Sequence, residues 1–185
     1  MRQLVERKTL LILAAGLATA LLAANDVAAG GDETAVVAKL KASKHTLLEG
    51  IQSVQKDNGV AISAKLEVED GKLFLSVYTA KAGLTPDAEH NVLMELKGDA
   101  TAARWEPKAE VFEDKPHLAR SAMHLTAMQT TPLTLEGVIK VAAAKKKGTV
   151  YSVIPAIRDG KTVFDVRVAT AAGKSEQLTI DESTK

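Results

Sequence analysis

The residues best suited to chemistry lie in one short stretch, residues 116–128, PHLARSAMHLTAM. If this stretch is helical, spacings of seven and four place His117, His124 and Met128 on one side. Imidazole and thioether donors suit copper. The same stretch permits a nucleophilic trio on paper, with Ser121 beside His124 and Asp114 as the orienting acid. No G-x-S-x-G elbow surrounds Ser121, which such a nucleophile would need to stand exposed on a strained turn. A plainer reading makes Leu118, Ala122, Leu125 and Met128 the buried face, with the histidines at its edge. His45 and His90 stand alone, and Glu67, Glu69 and Asp70 alternate outward as a solvated strand face would. We therefore expect no catalytic residues, no resident metal and no cofactor. An envelope metal-binding protein using His117, His124 and Met128 is the alternative.

Composition narrows the classes further. The 185 residues contain no Cys, which removes disulfides, thiolate metal sites, cysteine nucleophiles and a lipid-modified cysteine. Aromatic residues make up 3%, too few for a base-stacking surface. A formal net charge of +1 argues against electrostatic capture of nucleic acid. The run Lys145-Lys146-Lys147 reads as a helix end, where cations complement the dipole.

The elements that must position these residues begin with an address. Arg2, Arg7 and Lys8 precede an uncharged apolar run, residues 9–24, and small residues follow up to Gly30-Gly31. This order is that of a secretory signal peptide, residues 1–29, with cleavage after Ala29. The apolar run is shorter than the roughly 20 residues that span a bilayer as a helix. An exported chain, periplasmic or secreted and without a stable anchor after cleavage, is the expectation.

Beyond the leader the chain reads as one unit written twice. Leu48-Glu49-Gly50 and Leu135-Glu136-Gly137 lie 87 residues apart; Asp70-Gly71-Lys72 and Asp159-Gly160-Lys161 lie 89 apart. In the first copy, Val36, Val37, Leu40, Leu47, Leu48, Ile51 and Val54 recur at helical spacing. Asn58-Gly59 stops that helix. Ile62, Ala64, Leu66 and Val68 then alternate with polar residues as in a half-buried strand. Asp70-Gly71 suits a two-residue hairpin turn with positive φ at both positions. The second copy repeats helix, Gly stop, strand, Asp159-Gly160 turn and strand, and residues 174–180 add a third strand. Pro155 suggests an edge or a bulge in its strand. Residues 91–97 and 108–112 read as strands between the copies. The boundary falls near residues 129–132, giving units 30–129, with a longer C-terminal extension, and 130–185. They carry net charges of −3 and +3.

This order resembles the PepSY domain family. The clearer match is residues 133–181, LTLEGVIKVAAAKKKGTVYSVIPAIRDGKTVFDVRVATAAGKSEQLTID, closing on Gly173-Lys174 and Asp181. Residues 34–97 match with a displaced third strand. The resemblance implies an α+β fold of two tandem units, each a helix packed on a small antiparallel sheet. It also implies a binding role in the envelope, such as peptidase inhibition or control of local protease activity. The family pattern has no catalytic residues.

The expected function is binding of a protein or peptide, a secreted peptidase among the candidates, with no nucleic acid partner. Glu67, Glu69 and Arg158, close to the hairpin tips, form the candidate partner surface. The leader makes a direct prediction. N-terminal sequencing of the exported protein should start at Gly30; an intact Met1 in the membrane pellet would contradict it.

Overall fold

The computed structural model describes residues 32–55, 57–84 and 90–184. The leader and its cleavage site at Ala29 lie outside the described residues.

The chain opens with α1 (Glu33–Lys39), a 3-10 turn (Leu40–Ala42) and α2 (Leu47–Val54). The apolar spacing across residues 36–54 suggests one helix, but Ser43 turns the backbone extended and Thr46 restarts it. The Thr46 hydroxyl accepts from the Glu49 N–H, and the Glu49 carboxylate accepts from the Thr46 N–H at 2.7 Å. This reciprocal capping box satisfies two donors that a helix start leaves open. It also holds the Glu49 carboxyl below its ordinary range, chiefly through the Thr46 N–H.

Hairpin β1 (Val60–Glu69) and β2 (Lys72–Ala80) follows, then β3 (Leu93–Asp99), β4 (Lys108–Val111) and α3 (Lys115–Gln129). The second half is α4 (Leu135–Lys145), β5 (Thr149–Arg158), β6 (Lys161–Ala169) and β7 (Ser175–Ile180). Of the three lysines expected to end α4, only Lys145 lies inside it. Lys146 is already extended and pairs with Glu176 at 2.5 Å.

The strands form one antiparallel sheet of order β4-β3-β2-β1-β5-β6-β7. The sequence suggests a small sheet for each unit; the structure joins all strands through β1 and β5. The join is brief, with only Ala64 opposite Val153 and Lys65 opposite Ser152.

The hairpins repeat in detail. Each partner pair of β1 and β2, from Val60 with Ala80 to Glu69 with Lys72, recurs 89 residues later in β5 and β6. So does the register shift, at Ala61/Ser63 and again at Val150/Ser152. Both Asp-Gly pairs form the hairpin tips with positive φ, 48° and 73° at Asp70-Gly71 and 51° and 72° at Asp159-Gly160. Val153 lies 89 residues after Ala64, so the pair at the join consists of equivalent residues. A local two-fold relation between the hairpins passes through it.

The helices obey a different offset. Caps Thr46 and Thr134, and buried faces Leu47, Gly50, Ile51, Val54 and Leu135, Val138, Ile139, Ala142, lie 88 residues apart. The two Leu-Glu-Gly triplets therefore sit one residue out of structural step, and Gly137 of α4 stands where α2 has the capping Glu49. What repeats is the cap and the buried face, because packing acts on those and not on the triplet.

Helices α2 and α4 cover one face of the sheet. A side-chain carbon at Gly50 of α2 would meet Leu75 and Val77 of β2. Helix α3 crosses the other face: His124 reaches Ser63, whose partner Tyr78 points opposite to Val77. It packs on β1 and β5 and extends to β3 and β6. The core lies between these layers, with Ile51, Ile62, Leu75, Val77, Val153, Phe164 and Val166 fully buried.

Pro155 is not on an edge strand. It faces Phe164 in β5, two residues past Val153, where pairing with β1 has ended. Its missing N–H is tolerated because no partner strand waits on that side.

The Gly positions separate two kinds of constraint. A methyl at Gly59 (φ +84°) would strike the Ala80 carbonyl, and one at Gly148 would strike Ala169, while Gly71 (φ +73°) opens on free space. Gly71→Ala should cost about 1–2 kcal/mol, the left-handed penalty alone. Gly59→Ala should cost more, about 3 kcal/mol, from penalty and collision together. Urea unfolding of the two variants checks this; equal losses would contradict it.

Candidate functional site

Between α3 and the sheet lies a groove of about 560 Å³. Its floor is Ser63, Ala64 and Lys65 of β1 and Ser152, Ile154, Pro155 and Ala156 of β5. Arg120, Met123 and His124 of α3 form one wall; Arg158, Asp165, Arg167 and Gln177 form the other. The groove thus opens beside the join, where β5 runs past Val153 paired with β6 alone.

Strand alternation sets this lining. Ser63, Lys65 and Glu67 share the face toward α3, as do Ser152, Ile154, Ala156 and Arg158. Spacings of three and four put Arg120, Met123 and His124 on one side of α3. Met123 is 64% exposed and stands at the rim.

His124 is buried, and its Nδ1 lies 3.0 Å from the Ser63 hydroxyl. Burial first, then the nearby charges of Arg120 and Lys65, push its pKa down to about 4. At neutral pH the ring is uncharged. The imidazole stays hydrogen-bonded without carrying a proton charge into the interior, which would be costly there.

The charged lining is largely paired. Arg158 donates to both carboxylate oxygens of Asp165, at 2.9 and 2.5 Å, and Gln177 donates to Asp165 at 3.1 Å. Arg167 reaches Glu33 of α1 at 3.0 Å, and the Tyr151 hydroxyl lies 2.6 Å from Ser175 and 3.5 Å from Glu33. Lys65 pairs with Glu67 at 2.5 Å. Arg120 has no carboxylate within ion-pair distance among the described residues.

The structure distributes the expected site residues differently from the sequence. Arg158 lines the groove. Glu67 is not an exposed tip residue: its side chain is 13% exposed, accepts from Ser76 at 2.7 Å and lies 3.5 Å from Lys97. Burial would raise its carboxyl pKa, but Lys65, Ser76 and Lys97 together hold it below the ordinary range. Glu69 pairs with Lys97. Because β1 and β5 run antiparallel, the two hairpin tips point to opposite ends of the sheet. Glu69 and Arg158 stand ten strand positions apart, about 33 Å at a strand rise of ~3.3 Å per residue. One small partner cannot touch both.

The helical stretch 116–128 also resolves. His117 sits in the first turn of α3, its Nδ1 2.7 Å from the capping Asp114 and its ring stacked on Phe112 at 5.3 Å. His124 points to Ser63, and Met128 is buried in the core. Two imidazoles seven residues apart on one helix stand about 10 Å apart along its axis, too far to share an ion. Among the described residues no three His, Asp or Glu side chains gather as metal ligands. Ser121 is buried with its hydroxyl unpartnered, so the trio with His124 and Asp114 is not assembled; the serine that meets His124 is Ser63.

Sequence reasoning missed the pairing of Ser63 with His124 and the roles of Arg120, Asp165 and Arg167. The alternation around Ser63 and Lys65 carried a signal, since it set both on one face, but nothing local shows that α3 returns over that face.

No family model matches the chain, and no curated protein matches it. A solved structure that resembles it is a protein from Clostridium difficile 630 described as a candidate lipoprotein, with a TM-score of 0.37 and 15% identity. The match covers 75% of this chain and 87% of the other.

The buried histidine predicts an acid-sensitive fold. The unfolded chain binds a proton on this ring near pH 6.5, while the folded ring resists protonation until about pH 4. Stability from His124 is therefore complete above pH 6.5, falls as pH drops, and levels off below about 4, a loss of about 3 kcal/mol. His124→Asn, whose amide can still meet Ser63, should lack this component. Urea unfolding of both proteins from pH 7.5 to 4 measures it as a difference; parallel curves would refute it.

Proposed function

We propose that the chain is an exported, two-copy PepSY-like binding protein that takes a peptide or a protein segment in the groove beside α3, without bond chemistry. The groove carries this reading. Its volume falls within the range of ligand sites, and it combines an apolar floor with polar groups at the walls. Ile154, Ala156 and Met123 supply apolar contact, and Lys65, Arg120, Arg158 and Gln177 supply orientation.

The two-copy reading draws support from the common register of the hairpins and from the capped helix that precedes each. On this reading each copy is a helix on three strands, α2 on β1–β3 and α4 on β5–β7. The stretch of sequence between β2 and β3, residues 81–92, is seven residues longer than that between β6 and β7, residues 170–174, and β4 with α3 forms the extension. Export rests on residues 1–29. The partner surface keeps Arg158 and moves from Glu67 and Glu69 to the groove. A secreted peptidase remains the partner class that the resemblance implies.

Ala156 lies at the groove floor, half-buried and opposite Val163. Ala156→Trp should fill the groove from below. Wild type and variant would be used to retain proteins from an envelope extract, with quantitative mass spectrometry and a peptidase activity profile. A partner held by wild type and lost with the variant, at matched melting temperature, is the expected result. The same retained set with both would overturn the groove as the binding surface.

A further inference from the structure

The groove has a charge asymmetry that its internal ion pairs do not cancel. Four cations line it, Lys65, Arg120, Arg158 and Arg167, against one carboxylate, Asp165. Asp165 is held by Arg158 at both oxygens. Carboxylates from outside the lining neutralise two more, Glu67 at Lys65 and Glu33 at Arg167. Arg120 is left over, with its guanidinium on the wall beside Met123 and His124. Its charge acts on His124 and Tyr78, both neutral at neutral pH; the buried Glu95, opposite Tyr78 in β3, lies outside the groove lining and beyond ion-pair distance of Arg120. Tyr78 is buried, and burial foremost pushes its hydroxyl pKa up.

We infer that the groove selects a peptide carboxylate, seated on Arg120 with the adjoining residues of the peptide on Ile154 and Ala156. The inference rests on the groove-binding reading and adds to it the chemistry of the ligand. A guanidinium presents a planar fork that a carboxylate matches with two parallel hydrogen bonds. The excess is a single positive charge, which suits a monoanion; a phosphoryl group carries nearly two negative charges and would leave one unmet. The apolar floor adds contact area that a free inorganic anion could not use. The carboxylate could come from an Asp or Glu side chain or from a peptide C-terminus, and the two sources share this chemistry.

The probe is a positional-scanning pentapeptide library, with each position fixed in turn as Asp, Glu, Asn, Gln or Lys. One arm carries amidated C-termini and the other free C-termini. Peptides retained by immobilised full-length mature protein are quantified by mass spectrometry. Wild type should enrich Asp and Glu over Asn and Gln at least tenfold in the amidated arm if the side chain is the source. If the terminus is the source, the free arm should be enriched over the amidated one by the same margin. Arg120→Met, which keeps the apolar stem, should abolish either preference without changing the melting temperature. Arg120→Lys should restore part of it.

Retention without any charge preference, or a preference that survives Arg120→Met, overturns the inference. The Ala156→Trp variant separates the two readings. If it loses uncharged peptides that wild type retains, the groove binds peptides and only the selection for carboxylate fails. If it retains everything wild type does, the groove reading falls as well.

Discussion

The fold depends on a join of two ladder positions. Between β1 and β5 only Ala64 with Val153 and Lys65 with Ser152 are in register, yet these hold together seven strands. At about 1 kcal/mol net for each hydrogen bond, so short a ladder cannot dock one half on the other. Helix α3 does more. It lies across both strands at the join and buries Leu125, Ala127 and Met128 against the sheet. Full burial of Leu or Met contributes about 1.5–3 kcal/mol each. Helix α1 ties the halves a second time. Val36 enters the core, and Glu33 reaches Arg167 of β6. The halves are thus held by side chains laid across a narrow backbone bridge.

The narrowness of the bridge explains the position of the groove. Past Val153 the next contact with β1 would involve Ile154 and then Pro155, and proline offers no N–H to continue the ladder. Position 155 corresponds to Leu66 in the first hairpin, so the break is not symmetric. Neither is the covering of the face. Tyr78 of the first half packs against Phe112, with ring centroids 5.4 Å apart, and lies near His124 beneath α3. Its counterpart, 89 residues later, is Arg167, which lines the open wall. One covering helix serves two equivalent faces, and the face with less cover keeps a cavity.

Which features were legible in the sequence follows from how local their causes are. Turns at Asp70-Gly71 and Asp159-Gly160 were legible because positive φ is a property of two residues. Strand alternation is likewise local. The break at residues 43–46 was not read, because Leu40 and Leu47 kept the helical spacing across it. The single sheet was hidden as well. Nothing at Ala64 or Val153 distinguishes a residue that pairs within its hairpin from one that also pairs outward. The site shows the same limit. The histidines were visible as residue types, but the partner of His124 stands 61 positions away, on a strand whose covering helix no local pattern announces.

The common register of the two hairpins also shapes the groove. That register brings matched residues of the two hairpins together near the join. Ser63 and Ser152 are such a pair, and both lie on the floor. Away from the join, matched positions of the two hairpins differ in charge. Glu69 corresponds to Arg158, Ser76 to Asp165 and Tyr78 to Arg167. The first hairpin uses its positions, with Lys97 of β3, for a compact lattice of Glu67, Ser76, Lys97 and Glu69. The second sets Arg158 against Asp165 across neighbouring strands, with Gln177 donating to the same carboxylate. Helix α3 rests on both hairpins at once, on β1 and more extensively on β5, and the groove opens beside it where Arg158 and Asp165 line the far wall.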